Sequence, residues 1–118
     1  MSTTSSQPLA LTRTDLIRSS NFIAGQWTAF PGPLMDVTNP ATGAVITSVP
    51  DSGAAEARAA LDAAHAAFAT WRKVPAKQRA AIIKRWNDLV LAHQDDLGAL
   101  ISLEQGKPLA EGKGEVAY

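Results

Sequence analysis

Leu103-Glu104-Gln105-Gly106-Lys107-Pro108-Leu109-Ala110-Glu111 closes one helix and opens another. Gly106 stands where a chain leaves a helix through the left-handed region, a conformation that costs glycine little because it has no Cβ. Pro108, with its fixed φ and no amide hydrogen, suits the first turn of the helix that follows. That helix carries Leu109, Gly112 and Val116 on one face and runs to Tyr118 without a stop signal. The junction therefore predicts a chain that continues as part of something larger.

Upstream, from Ser52 onward, the apolar residues recur at intervals of three and four, the spacing of a helix face. Ala57, Ala60, Leu61, Ala64, Phe68 and Trp71 line a first helix, with Asp51 or Ser52 as its expected cap. Three alanines on that face allow another backbone to approach closely. A second helix starts at Pro75 with a stripe of Ile82, Ile83, Trp86, Leu89, Val90 and His93. It is expected to bend near Gln94-Asp95 into a third, carrying Leu97, Leu100, Ile101 and Glu104 and ending at Gly106.

Before the helices the period is two. Phe22-Ile23-Ala24-Gly25-Gln26-Trp27 places apolar residues on both sides of a glycine turn, the mark of a hairpin. Met35-Asp36-Val37-Thr38 and Val45-Ile46-Thr47-Ser48-Val49 make a second, joined by Asn39-Pro40-Ala41-Thr42-Gly43. The proline pushes Asn39 to an extended conformation, and Gly43 supplies a positive φ for the return. Residues 1–13 read as a flexible tail, and 14–118 as the N-terminal part of a larger domain. Two short hairpins contribute little core, so the helix faces are expected to coat a sheet this stretch does not supply.

At 118 residues the chain holds one small domain or part of one. Eleven acidic and 11 basic residues balance, giving no global field toward nucleic acid or an anionic membrane. No segment has the apolar length of a membrane span. Met1 to Ser20 lacks the charged start and apolar run of a secretory signal. There is no cysteine, which excludes disulfides, thiolate metal ligation and a cysteine nucleophile within these residues.

The remaining candidate features have plain structural readings. Lys77, Lys84 and Arg85 lie opposite the apolar stripe, as on a solvated face. Arg79 points into that stripe and is expected to be partly buried and paired with a carboxylate, because an unpaired buried charge is costly. His65 and His93 have no metal-ligand partner at i+3 or i+4. Asp95 and Asp96 diverge by about 100° on a helix, which suits a helix start better than a shared proton. Gly106, Gly112 and Gly114 fit neither phosphate-loop pattern and are expected to cap and pack helices.

Taken in order, Phe22 to Trp27, Asp36-Val37-Thr38-Asn39-Pro40-Ala41-Thr42-Gly43, Ala57-Arg58-Ala59-Ala60-Leu61-Asp62-Ala63-Ala64, Phe68-Ala69-Thr70-Trp71 and Leu103 to Pro108 resemble the N-terminal part of an aldehyde dehydrogenase. The likeness spans Asp15 to Tyr118, which argues against a mitochondrial presequence. Its ending, Gly106 to Glu115, is most similar to the bacterial NAD(P)-dependent succinate-semialdehyde dehydrogenases.

The resemblance implies an α/β parent with a Rossmann-type cofactor domain, a catalytic domain and an oligomerisation arm. This stretch would supply two short β-hairpins and packed α-helices of the cofactor domain. In that family a cysteine thiolate attacks the aldehyde, hydride passes to NAD or NADP, and a glutamate activates water to hydrolyse the thioester. None of those residues, nor any cofactor-binding residue, matches a position here. The chain alone is therefore expected to be inactive. The implied parent is a cytoplasmic homodimer or homotetramer acting on a small aldehyde, with no nucleic-acid or membrane partner. One site carries over: the backbone carbonyl of Thr38 and the carboxylate of Glu104, which in many members hold a structural sodium or potassium ion. Oxygen-only ligation suits a hard cation. The competing reading pairs Glu104 with Arg79 or Lys107 and binds no ion. For the whole chain, the competing reading is a stand-alone helical binding or assembly module without redox chemistry.

Overall fold

A computed structural model describes residues 10–118, and a 3₁₀ turn at Thr14–Leu16 precedes the first strands. Strands β1 (Asn21–Ile23) and β2 (Gln26–Thr28) pair antiparallel, with Phe22 opposite Trp27. Their two-residue connection, Ala24-Gly25, has φ of 53° and 79°. Two successive positive φ values match the twist of a tight hairpin. Phe22 and Trp27 pack with ring centroids 5.0 Å apart.

Strands β3 (Leu34–Thr38) and β4 (Val45–Pro50) form a second antiparallel pair. Asn39 organises their connection. Its side-chain oxygen accepts the Ala41 N–H at 2.9 Å, and its carbonyl accepts the N–H of Gly43 at 2.7 Å. Gly43 has φ +73°, as the turn requires. The ladder slips at its end: Val37 faces Thr47 but Thr38 faces Val45. The extra residue on β4 is a bulge, which turns Thr38 out of the regular ladder.

Four helices follow: α1 (Ala54–Trp71), α2 (Ala76–Ala92), α3 (Gln94–Gln105) and α4 (Leu109–Ala117). The cap of α1 is Gly53, not Asp51 or Ser52. The Ser52 hydroxyl is engaged elsewhere, accepting Asn21 Nδ2–H at 2.8 Å, and the Asp51 backbone N–H donates to the Pro33 carbonyl in the loop before β3. Glu56 instead reaches back, accepting the Gly53 N–H at 2.9 Å. The bend between α2 and α3 falls at His93, whose φ of −113° and ψ of 21° break the helical path. Pro108 lies at the cap of α4, one position before its first turn, where its carbonyl accepts the N–H groups of Glu111 and Gly112 at 3.0 Å each.

The tightest packing joins α3 to α4. Gly98, Ala99, Ser102 and Gly112 are buried there, and Ala99 is the buried hydrophobic residue among those described. Elsewhere the apolar faces lie open. Leu61 is 68% and Trp86 69% exposed, and Phe68, Ile82, Ile83 and Leu89 are exposed beside them. The chain presents 9120 Å² to solvent, against about 6,100 Å² for a compact globular protein of this mass. Full burial of such a side chain is worth about 1.5–3 kcal/mol, and more than half of that stays unrealised at these residues.

Of the tail expected over residues 1–13, positions 1–9 lie outside the described residues. At its other end the amides of Thr12 and Arg13 donate to the two carboxylate oxygens of Asp96 at 2.8 and 3.1 Å. The Arg13 guanidinium forms a two-pronged pair with Asp15, both contacts at 2.6 Å. Hydrogen bonding to Arg13 holds the Asp15 carboxyl down at about 2, below its ordinary 3.8. A depressed carboxyl contributes stability that is present above its ordinary value and lost as the pH falls through about 2. Arg13→Met is expected to return Asp15 toward about 3.9, read by NMR titration of its side-chain carbon. An unchanged midpoint would show that the pair does not set it.

Candidate functional site

The junction after α3 brings the second hairpin against the helices. Gly106 has φ +72°, and its N–H donates to the Ser102 carbonyl at 2.9 Å. A Cβ on Gly106 would lie 3.1 Å from Pro40 Cγ, so the loop after β3 rests on the end of α3. Thr38 and Glu104 each lie two residues before this contact. The helix break and the Asn-Pro turn are thus one structural feature, joining the two segments that carry the expected ion ligands.

Both residues are exposed. Neither cation of the competing reading reaches Glu104. Lys107 pairs with Glu115, and half-buried Arg79 makes no ion pair among the described residues. The expectation that Arg79 pairs with a carboxylate therefore does not hold. Because α2 presents its stripe to solvent, the guanidinium keeps enough water to stand alone. No cluster of three or more His, Asp or Glu side chains capable of holding a metal occurs among the described residues. An ion here would depend on backbone carbonyls and one carboxylate.

Beside Glu104 runs an open groove of about 400 Å³ between α2, α3 and α4. Val90, Leu97, Leu100, Ile101 and Val116 line it, with Glu104 and Glu115 on its edge. Apolar walls and a neutralised Glu115 suit packing against protein better than binding of a charged metabolite.

Gly106 and Gly112 take the capping and packing roles expected of them, whereas a Cβ on Gly114 meets nothing within 4 Å, so the packing role expected of Gly114 does not hold. Gly106 caps α3. Gly112 lies so near α3 that a Cβ on it would fall 2.5 Å from the Gly98 carbonyl oxygen and 2.8 Å from Ser102 Oγ. A Cβ on Gly98 would fall 2.8 Å from the Lys113 nitrogen. Gln94 Nε2–H donates to the Lys113 carbonyl, and Lys113 Nζ meets Asp95, both at 2.8 Å. These contacts clamp the two helices together. The packing role of Gly112 is legible from its helix face, whereas Gly98 is signalled only as a glycine inside a helix, where its low propensity calls for a reason. Asp96 looks in sequence like a helix-start residue and is one, yet its carboxylate also anchors Thr12 and Arg13. His65 is exposed on α1, while His93 accepts a contact from Arg13 at the α2–α3 bend.

Residues 27–118 match the sequence model described as the aldehyde dehydrogenase family. The NADP(+) succinate-semialdehyde dehydrogenase of Escherichia coli strain K12 is 50% identical over 111 residues, covering 93% of this chain and 23% of that protein. The glutarate-semialdehyde dehydrogenase of Pseudomonas aeruginosa is 51% identical over 104 residues, covering 87% of this chain and 22% of that protein. The crystal structure of succinate-semialdehyde dehydrogenase from Burkholderia pseudomallei superposes with a TM-score of 0.88 at 48% identity, over 92% of this chain and 23% of that one. The chain thus spans less than a quarter of the length of these relatives.

Proposed function

The chain belongs to the aldehyde dehydrogenase family, and we propose that it is the N-terminal portion of an NAD(P)-dependent enzyme that oxidises a semialdehyde to the carboxylic acid. Succinic semialdehyde is the substrate this reading favours. The observation that carries it is the 50% identity over 111 residues to the NADP(+) succinate-semialdehyde dehydrogenase of E. coli. Near-equal identity to a glutarate-semialdehyde dehydrogenase makes the acid of one more carbon the competitor. Residues 14–118 would form the outer part of the cofactor domain, with residues 1–13 as a leading tail. The parent would be a cytoplasmic homodimer or homotetramer.

The chain's own share is a scaffold. Gly106 ends α3 and Gly112 lets α4 pack on Gly98, and the groups that hold NAD(P) and react with the aldehyde would belong to other residues. The open faces of α1 and α2 support this reading, since they provide a broad apolar surface for the rest of such an enzyme. The test is to sequence the coding region beyond Tyr118 and assay the product with succinic and glutaric semialdehydes, using each nicotinamide cofactor in turn. Preferential oxidation of succinic semialdehyde is expected. A reading frame that stops at Tyr118 and yields a soluble, folded, inactive protein would replace this proposal with the assembly-module reading.

Thr38 and Glu104 fit a structural sodium or potassium ion. The Gly106–Pro40 contact joins their segments, and no cation among the described residues pairs with Glu104. The Thr38 carbonyl and the Glu104 carboxylate would hold the ion, which would tie β3 to the end of α3. In the complete protein, sodium or potassium chloride is expected to raise Tm above that in choline chloride of equal ionic strength. Glu104→Gln should abolish the difference. An equal Tm in all three salts would exclude the ion.

A further inference from the structure

The corner between α2 and α3 carries a second polar arrangement, away from the Pro40–Gly106 contact. Arg13 Nη1 lies 3.1 Å from His93 Nε2. A guanidinium has only donors, so this contact requires Nε2 to be the acceptor. The imidazole is then neutral, with its proton on Nδ1. The same guanidinium is held on another side by Asp15, and the amides of Thr12 and Arg13 end on Asp96, three residues beyond His93.

The fastening continues toward the first hairpin. Arg18 lies 4.0 Å from Asp15 and stacks its guanidinium 4.7 Å from the centroid of the Trp27 ring, which packs on Phe22. One polar chain therefore links the α2–α3 corner through the N-terminal segment to β1 and β2. Histidine is the side-chain type that gains a charge near neutral pH, and His93 is the histidine in that chain of contacts.

We propose that His93 is a pH-sensitive latch: its neutral ring receives Arg13 and holds the N-terminal segment on the α2–α3 corner, and its protonation releases that segment. A protonated imidazole has two N–H donors and no acceptor, so the contact with Arg13 becomes a donor facing a donor and a cation facing a cation. The surrounding charges determine where the ring turns. From the N-terminal segment Arg13 contacts it, Asp15 pairs with that same guanidinium, and Arg18 lies beyond Asp15. Asp95 and Asp96 stand in the first turn of α3, and Lys113 of α4 is engaged with Asp95. Asp96 is the carboxylate left to attract the new cation, and its oxygens are those that fasten Thr12 and Arg13. Protonation thus opposes both fastenings of the segment.

The test is amide hydrogen exchange in the intact chain at about pH 8 and about pH 5.5, expressed as protection factors so that intrinsic rates cancel. This window lies above the ordinary carboxylate range. Protection at Thr12 and Arg13 is expected to fall about tenfold or more at the lower pH in the native sequence. In His93→Gln, whose side-chain oxygen accepts a hydrogen bond but does not titrate, it should stay constant. Equal protection at both pH values in the native sequence, or the same loss in His93→Gln, overturns the latch. A second measurement needs no variant: ¹⁵N chemical shifts of the His93 ring at about pH 8 should report the proton on Nδ1. A proton on Nε2 would contradict the proposal directly.

Discussion

Gly112→Val is expected to unfold the α3–α4 pair. A Cβ alone at this position would come within 2.5 Å of the Gly98 carbonyl oxygen and 2.8 Å of Ser102 Oγ; the hydroxyl can rotate away, but the carbonyl is backbone of the facing helix and no rotamer relieves it. The branches of valine add volume on the same side. Either α4 moves outward, or the Gly98 turn distorts. Overpacking of a close-packed site costs about 1–3 kcal/mol and sometimes more. Separation would also threaten the Gln94–Lys113 hydrogen bond and the Asp95–Lys113 pair. Chemical denaturation followed by circular dichroism should show a lower midpoint, and Gly112→Ala a smaller decrease in the same direction. Gly114→Ala serves as the control, since a Cβ there meets nothing within 4 Å and replaces glycine with a better helix former. An unchanged midpoint in Gly112→Val would mean that the helices do not pack as described.

The second expectation is a complete loss of function rather than a partial one. Incubated with succinic semialdehyde and NAD or NADP, the 118-residue chain alone should produce no reduced cofactor at any pH or protein concentration. Covalent oxidation of an aldehyde through a thioester requires a thiolate, and the sequence contains no cysteine. Turnover measured as absorbance of the reduced nicotinamide, surviving repurification and thiol-blocking reagents, would disprove the mechanism inferred for the family member.

Local structure was largely legible from residue order. The two hairpins follow from alternating apolar residues around turns at Ala24-Gly25 and Asn39–Gly43; Gly43 adopts the positive φ expected of it, and Gly25 has one too. Gly106 likewise ends α3 in the left-handed region. These readings succeed because a turn is decided by the conformations open to one or two residues. The cap of α1 falls at Gly53, one to two positions beyond Asp51 and Ser52, and the Ser52 hydroxyl is taken by Asn21 of β1. Arg79 is half-buried as its place in the stripe implies, yet it has no carboxylate partner among the described residues, since a periodic stripe predicts which way a side chain points and not what lies opposite.

By itself the sequence determined the punctuation of the chain, the faces of its helices, the absence of a cysteine nucleophile and the family to which the ordered motifs point. These depend on local conformational preference, periodicity and residue chemistry. Tertiary structure alone decided that the Asn39-Pro40 turn rests on Gly106, that Gly98 and Gly112 let α3 and α4 meet at backbone distance, and that Asp96 and His93 fasten Thr12 and Arg13 some eighty residues away in the chain. Such contacts form only when distant segments converge, and no local pattern encodes which donor will meet which acceptor.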